Sequence, residues 1–378
     1  MSKSKLIAVN YAFSHTVISM NLEIYVYFRD YRLEEYMKKI VVTGSQGFIG
    51  GYIVQELLNK GYKVFGIDNH SKYGKISRRH DSHSNFELLE EDLAKSSSQL
   101  KLVLKEAEHL IAGAAKIGGI SYFHSYAYDL LSDNERIMAN TCDAAIEAHN
   151  RGVLKKMTYL SSSMVFENTD RWPSKEGDQF LVPPPSSSYG FQKLAVEYFA
   201  KAAWDQYKLP YTIIRVFNCV GVGEVRAKNT KTIMSGDIHL AMSHVLTDLV
   251  QKVIKGQKPL RILGSGSQIR HLTYGGDLAK GILATLDHPK ALNEDFNIST
   301  DESLTIIHLA KLIWEKIYDK ETPFELISDE PYPYDVQKRI PDTSKARNLL
   351  NFEANTTIDE VLDEVIPWVR EAINNQLI

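Results

Sequence analysis

From Met37 onward, apolar positions fall in short continuous runs separated by stretches of helical period. Ile40-Val41-Val42 is an unbroken apolar run, as expected of a strand buried on both faces. Phe48 to Asn59 repeats its apolar side chains every three to four residues, which predicts an amphipathic helix ended by Gly61. Lys63 to Ile67 reads as the next strand, and Phe86 to Leu89, His109 to Ile111, Met157 to Leu160 and Thr212 to Val216 continue the series. Helical segments lie between them, including Asp133 to Asn150 and Tyr189 to Tyr207. Strands alternating with helices predict an α/β fold in which a parallel sheet is covered on both faces.

Beyond about Val220 the rhythm changes. Gly221 to Asp237 is polar with little periodicity, and it reads as a loop over a site. A helix (Leu240 to Lys255), a short strand (Leu260 to Leu263) and two more helices (Thr305 to Tyr318, Ile358 to Asn374) follow, with an irregular Pro/Tyr-rich stretch from Asp329 to Pro341. The expected organisation is a first domain over 37–219 and a smaller mixed α/β domain over 220–378, some of whose segments return to the first. Residues 1–36 stand apart. Leu6 to Phe28 is moderately apolar, but Asn10, His15, Asn21 and Glu23 interrupt it, making it a poor membrane span. It lacks a secretory cleavage site, and Met37-Lys38-Lys39-Ile40 reads like a start, so a poorly ordered extension is expected.

Composition narrows the partners. A net charge of −3 and a sequence pI near 6.5 give no basic field for nucleic acid or an anionic membrane. The two cysteines, Cys142 and Cys219, are far apart and in no metal-binding or redox spacing. A reducing, cytoplasmic setting without a structural metal is the expectation.

The strongest local signal is Thr43-Gly44-Ser45-Gln46-Gly47-Phe48-Ile49-Gly50, between the first strand and first helix. Glycines at 44, 47 and 50 let a pyrophosphate approach the backbone, and the helix N-terminus offers free N–H groups to the anion. The position of this turn at the head of an alternating pattern points to a Rossmann, doubly wound dinucleotide-binding domain. Asp68 ends the second strand, where a carboxylate can bind both ribose hydroxyls and would repel a 2′-phosphate. This favours NAD over NADP. Tyr189 and Lys193 lie four apart on one helix face, an arrangement expected to lower the phenol pKa toward a useful range. Such a tyrosine can take a proton from a sugar hydroxyl while its carbon gives hydride to nicotinamide. Ser161-Ser162-Ser163, at the end of a preceding strand, places a hydroxyl within reach of the same oxygen.

Together these residues resemble the extended short-chain dehydrogenase/reductases, in particular the nucleotide-sugar epimerase/dehydratase branch. The likeness runs from Met37 nearly to the C-terminus and includes TGSQGFIG, Asp68, Asp92, SSSMVF, YGFQK, RVFN, RHLTYGGD and PDTSKA. The resemblance implies Tyr189 as catalytic base, Lys193 as its partner and ribose ligand, and Ser162 as the catalytic hydroxyl. It implies a cofactor set of Gly44, Gln46, Gly47, Phe48, Ile49, Asp68, Asp92, Ala112 and Lys193, with Asp92 meeting the adenine. Asn218, Arg270 and Arg339 would hold the substrate diphosphate, with Ser163 and His244 beside them. A homodimer paired through the helices Asp133 to Asn150 and Tyr189 to Tyr207 is also implied.

Sugar dehydratases of this branch carry T-D-E-V-Y after the catalytic residue, and here Ser163 and Met164 replace the acid/base pair. Decarboxylating relatives keep the glutamate, so they are disfavoured as well. Ala114-Ala115-Lys116-Ile117-Gly118-Gly119-Ile120 is similar to the GDP-fucose synthase and GDP-mannose 3,5-epimerase group, but their cysteine aligns with Met164, whose thioether cannot shuttle protons. What remains is C4 epimerisation of a nucleotide-diphosphate sugar, a UDP-sugar before a GDP-sugar. A reductase, a 3,5-epimerase, a dehydratase and a non-catalytic dinucleotide binder stay as alternatives. Phe166-Glu167 in place of Tyr-Gly, Pro183-Pro184-Pro185, and the basic loop with Arg226, Lys228 and Lys231 depart from the family pattern. That loop either shapes a different sugar pocket or is a solvated surface loop.

Overall fold

A computed structural model describes residues 37–117, 126–228, 234–240, 244–331 and 335–378. The extension 1–36, Gly118 to Ile120 and Lys231 lie outside the described residues. The central sheet takes β1 (Lys39–Thr43), β2 (Lys63–Asp68), β3 (Phe86–Glu90), β4 (His109–Ala112), β5 (Lys156–Ser162) and β6 (Tyr211–Val216). The later strands are β7 (Met234–Ser235), β8 (Ile238–His239), β9 (Leu260–Leu263), β10 (Ile269–Arg270), β11 (Glu294–Ile298), β12 (Leu304–Thr305) and β13 (Leu326–Asp329). β11 joins the main sheet, whose order is β11-β6-β5-β4-β1-β2-β3 with every pair parallel.

Each inner strand is apolar on both faces because helices cover both sides. Along β1, Ile40 and Val42 enter one core while Val41 enters the other, as the period of two requires. The first core also takes helices α1 (Phe48–Asn59), α2 (Gly275–Leu286) and α3 (Ile358–Asn374), and α1 packs along α2. On the opposite face, the helices Ala127–Asn150 and Ser188–Tyr207 pack against each other. The helix Val245–Ile254 sits on α3 and on Ile306–Ile317, forming the body that closes over the sheet's C-terminal edge.

Chain order reverses at β1, which pairs with β2 on one side and β4 on the other. The crevice beyond the strand ends at such a reversal is where ligands bind in open α/β sheets. Among the described residues, no helix is long and apolar enough to cross a membrane.

Several boundaries differ from the sequence expectation. The helix expected from Asp133 begins at Ala127, because Leu130 extends its buried stripe by a turn. The helix expected from Leu240 begins at Val245, with His244 as its N-cap. The loop over 221–237 contains β7, which pairs with β8 beyond it as a short hairpin.

Candidate active site

The C-terminal ends of β1, β2, β4 and β5 open onto a cavity of about 440 Å³, which continues between β6 and the closing body. The glycine turn forms its floor. Gly44 has φ +75°, and a Cβ there would lie 2.9 Å from the Ala114 backbone. A Cβ on Gly50 would lie 2.0 Å from the Gly44 carbonyl oxygen, so the turn closes onto α1 only with glycine at both places. α1 begins after Gly47 with no side-chain cap, leaving its first N–H groups available to an anion.

Asp68 accepts from the Gln46 backbone N–H (3.0 Å) and the His70 N–H (2.7 Å), which fixes its carboxylate beside the turn. The segment after β2 is then clamped down. Arg78 donates to the Gln46 carbonyl through Nε (3.1 Å) and Nη2 (2.8 Å), and Gln46 Nε2 donates to Asp81 (2.9 Å). Arg78 also reaches the Gly223 carbonyl (3.0 Å), tying this segment to the turn after β6. Gln46 Oε1 is buried at the cavity without a partner among the described residues. A glycine cradle with no room for Cβ, an uncapped helix start and a fixed acidic side chain fit the pyrophosphate and ribose of a dinucleotide.

Tyr189 and Lys193 project from the helix Ser188–Tyr207, which Ser187 caps by accepting from the Gly190 N–H (3.0 Å). Gly190 is required here, because a Cβ would lie 2.9 Å from both the Met164 carbonyl oxygen and Glu167 Oε2. Glu167 itself accepts from the Ser187 N–H (2.9 Å) and hydroxyl (3.0 Å). The residue that departs from the Tyr-Gly pattern thus anchors the start of this helix. Ser162, at the end of β5, is hydrogen-bonded to the Tyr189 phenol.

The electrostatics differ from the sequence expectation. Burial pushes the Tyr189 phenol above its ordinary value, opposed by the Ser162 hydrogen bond and by the charges of Arg339 and Lys72. The Lys193 ammonium donates to the Leu160 carbonyl (2.9 Å) and lies 6.0 Å from the Tyr189 ring centroid. Burial lowers its pKa to about 8. Lys193 alone therefore does not pull the phenol down; desolvation of the pair outweighs the attraction.

Beneath these residues a buried ion network ties strands to helix. Arg215 of β6 donates to both oxygens of Glu197 (2.8 Å each) and to Asp295 of β11 (2.6 Å), and Ser161 donates to Glu197 (2.8 Å). Loss of one member would leave a buried uncompensated charge.

At the other end of the cavity, Arg270 and Arg339 line one wall with Asn218. Arg339 donates to the Asn218 side-chain oxygen (3.2 Å), and Arg270 pairs with Asp335 (3.2 Å). Burial, then repulsion by Arg339, pushes the Arg270 pKa down to about 9. Two buried guanidiniums facing one carboxylate form a ready site for an anion with two charges. His244 also lines the cavity, held by Glu224, which accepts from its Nδ1 (2.5 Å) and its backbone N–H (3.1 Å).

The cavity lining therefore gathers Gly44, Gln46, Gly47, Phe48, Ile49, Asp68, Ser162, Ser163, Tyr189, Lys193, Asn218, His244, Arg270 and Arg339. Asp92 and Ala112 fall outside it. Asp92 is turned to Lys95 (3.1 Å) and the Ala94 N–H (3.2 Å), while Ala112 points into the core; their neighbours Leu93 and Gly113 face the cavity instead. Lys72, Tyr73, Gln268 and Asp335 line it without having been singled out from the sequence. They lie on irregular segments, where no periodicity assigns a side chain to a face.

Residues 40–299 match the model of the NAD dependent epimerase/dehydratase family. The chain is 25% identical over 344 residues to the UDP-N-acetyl-alpha-D-glucosaminuronate decarboxylase of Bacillus cytotoxicus, covering 89% of this chain and 99% of that one. It is similar to the crystal structure of Thermotoga maritima UDP-glucose 4-epimerase with UDP-glucose, with a TM-score of 0.73, 25% identity, and coverage of 89% and 99% of the two chains. A UDP-glucuronic acid 4-epimerase from Bacillus cereus, solved with UDP-glucuronic acid and NAD, shares the fold at TM-score 0.71 and 23% identity, covering 88% and 99%.

Proposed function

The chain belongs to the NAD-dependent epimerase/dehydratase family, and from that premise we propose that it epimerises a UDP-linked sugar at C4 through a transient 4-keto intermediate. The observation that carries this reading is the surroundings of Met164. It is buried at 5% exposure in an apolar cluster with Leu130 and Tyr189, with Ile117 and Val336 packed against it. The acid or thiol that elimination, decarboxylation or C3/C5 epimerisation would use at that position is replaced by a thioether in an apolar setting. Tyr189 and Ser162 provide what oxidation and reduction at a single carbinol need.

The glycine turn, Asp68 and Lys193 would hold NAD, which would supply the hydride acceptor. Tyr189 takes the proton of the sugar hydroxyl, and Ser162 orients that oxygen. The same phenol returns the proton as the hydride goes back to the other face of the keto carbon, so that no cofactor is consumed. Arg270, Arg339 and Asn218 hold the diphosphate, leaving the sugar free to turn about its link to it. The Thermotoga maritima UDP-glucose 4-epimerase supports both the nucleotide and the carbon. The Bacillus cytotoxicus relative is a decarboxylase, which makes the mass of the product the deciding quantity.

The test is incubation of the purified protein and NAD with UDP-, GDP-, CDP- and dTDP-sugars, with chromatography and mass detection. A new peak of unchanged mass, without net NADH, is the expected result. Loss of carbon dioxide or water, or stoichiometric consumption of reduced cofactor, would overturn it. The assembly we propose is a homodimer through the helices Ala127–Asn150 and Ser188–Tyr207, supported by exposed Tyr128, Phe191 and Tyr198 on that side. Sedimentation equilibrium checks it.

A further inference from the structure

Ser162 and Tyr189 stand on different elements, so the hydrogen bond between them depends on what ties those elements together. Tyr189 is the second residue of the helix Ser188–Tyr207, in an end turn of the kind that frays. Along that helix a tie to β5 comes at Lys193, one turn later, whose ammonium donates to the Leu160 carbonyl (2.9 Å). The first turn is held from the other direction. β5 runs from Ser162 into a 3₁₀ turn (Ser163–Phe166), and the next two residues are Glu167 and Asn168. One Glu167 oxygen accepts from both the Ser187 N–H (2.9 Å) and the Ser187 hydroxyl (3.0 Å), and that hydroxyl in turn accepts from the Gly190 N–H (3.0 Å). Asn168 Nδ2 donates to the Pro184 carbonyl (2.6 Å) and to the Ser186 hydroxyl (2.9 Å). Pro185, between them in sequence, is buried, and a Cβ on Gly190 would lie 2.6 Å from its own Cβ. Glu167 and Asn168 thus clasp residues 184–187, and the run Pro183-Pro184-Pro185 lowers the entropy lost in ordering that segment. Glu167 carries a charge as well, which acts on buried Arg339, and the charge of Arg339 acts on the Tyr189 phenol.

We propose that Glu167 is a positioning residue for the proton transfer: it clamps the first turn of the helix so that Tyr189 stays within hydrogen-bond reach of Ser162. The inference rests on the roles given above to Tyr189 and Ser162. Glu167 lies outside the cavity lining, so it acts through these two hydroxyls rather than on a ligand. A carboxylate suits the task because one oxygen takes two donors of the same residue, which fixes both the backbone and the side chain of the helix cap.

Steady-state kinetics, calorimetry with NAD and with UDP, and a double-mutant cycle test it. Glu167→Ala should lower kcat by about tenfold to a hundredfold, the weight of a reacting group displaced by about an ångström. The Kd values for NAD and UDP should stay within about threefold of wild type, since no ligand contact is lost. Glu167→Gln keeps an acceptor for both Ser187 donors and should recover most of the rate. In a Ser162→Ala background, Glu167→Ala should cost less than about threefold more, because the hydrogen bond it protects is already gone. Ser187→Ala removes the hydroxyl at the other end of the contact, and it carries the test if Glu167→Ala fails to fold, with kcat expected to fall about threefold to tenfold. A lower melting temperature with kcat unchanged, in whichever variant carries the test, overturns the proposal and leaves Glu167 a purely structural group. A loss fully additive with Ser162→Ala overturns it too, and failure of Glu167→Gln to recover the rate replaces the clamp by the charge on Arg339. If the wild type binds NAD and converts no nucleotide sugar, the proposed reaction fails, and a crystal structure of Glu167→Ala with NAD still decides. Ser162 and Tyr189 oxygens parted by more than about 3.5 Å support the clamp, and a hydrogen bond kept at its wild-type length overturns it.

Discussion

Replacing Arg270 with methionine separates binding from fold stability. In the ligand-free protein, burial and the neighbouring Arg339 bring the Arg270 pKa down from its ordinary value to about 9. At about 1.36 kcal/mol per pH unit this is a penalty on the charged form of up to ~5 kcal/mol, for a side chain only 8% exposed. That net shift already contains the opposing attraction of Asp335, 3.2 Å away. Methionine keeps most of the packing and removes the charge, but it frees Asp335, whose other hydrogen bond comes from Gln268 (2.9 Å). The net expectation is a ligand-free stability within ~2 kcal/mol of wild type, the relief of burying Arg270 beside Arg339 being set against the buried carboxylate left behind. UDP should bind about tenfold to a hundredfold more weakly, since a charge-assisted contact to phosphate contributes roughly 1.5–3 kcal/mol. The diphosphate is remote from the reacting carbon, so KM should rise with kcat little changed. Thermal unfolding with and without UDP, UDP calorimetry and steady-state kinetics read these quantities. A Kd for UDP within twofold of wild type would refute the assignment of Arg270, and a fall in kcat alone would move it to the chemical step.

Three further outcomes follow from the same geometry. Tyr189→Phe should lower kcat by about 10²–10⁴ while NAD affinity is retained; an unchanged rate would favour a different proton acceptor. Gly50→Ala should abolish the NAD-induced rise in melting temperature, because the added Cβ meets the Gly44 carbonyl at 2.0 Å; a normal shift would mean that the turn relaxes without loss. The pKa of Lys193 is about 8 in the fold against 10.5 unfolded, so the unfolded chain binds more protons between these values and ligand-free stability rises with pH there. This lysine contributes at most about 3 kcal/mol to that rise. Lys193→Met should flatten the melting-temperature profile between pH 8 and 10, and an equally steep profile would assign the rise to other groups, Lys156 first among them.

What could be read from the sequence was set by regularity. Five of the six strands legible in the sequence show as apolar runs because parallel strands are buried on both faces, whereas β3, at the sheet edge, is only partly buried. The seventh, β11, is Glu294-Asp295-Phe296-Asn297-Ile298, and its polar residues hide it. Asp295 is spent on Arg215 and Lys345, and Asn297 Nδ2 donates to the Ser174 (3.0 Å) and Asp342 (3.1 Å) carbonyls. The helix α2 (Gly275–Leu286) is hidden for a related reason: two glycines open it, which lowers helix propensity, yet it is packed along α1 by tertiary contact. Tyr189, Lys193 and Ser162 could be found because helix period and strand end fix their directions. Asp335, Lys72 and Glu224 could not, because on irregular segments a side chain's direction depends on contacts distant in sequence.

The cavity shows why a site can be inferred from what the fold leaves unresolved. Beneath the active helix the charges are closed off, in the network of Arg215, Glu197 and Asp295, where nearly every donor has an acceptor. Around the cavity the opposite holds. Arg270 and Arg339 face one carboxylate, Lys72 makes no salt bridge and Gln46 Oε1 lacks a donor among the described residues. These groups lower the stability of the empty protein, and a bound ligand returns that energy only if its charges match them in sign and place. Lys72 and Tyr73 follow Asp68 on the same segment, and the arginine pair lines a wall with Asn218. Under the proposed function, a dinucleotide cofactor and a nucleotide-diphosphate sugar would bring such anions, the second of them to the arginine pair.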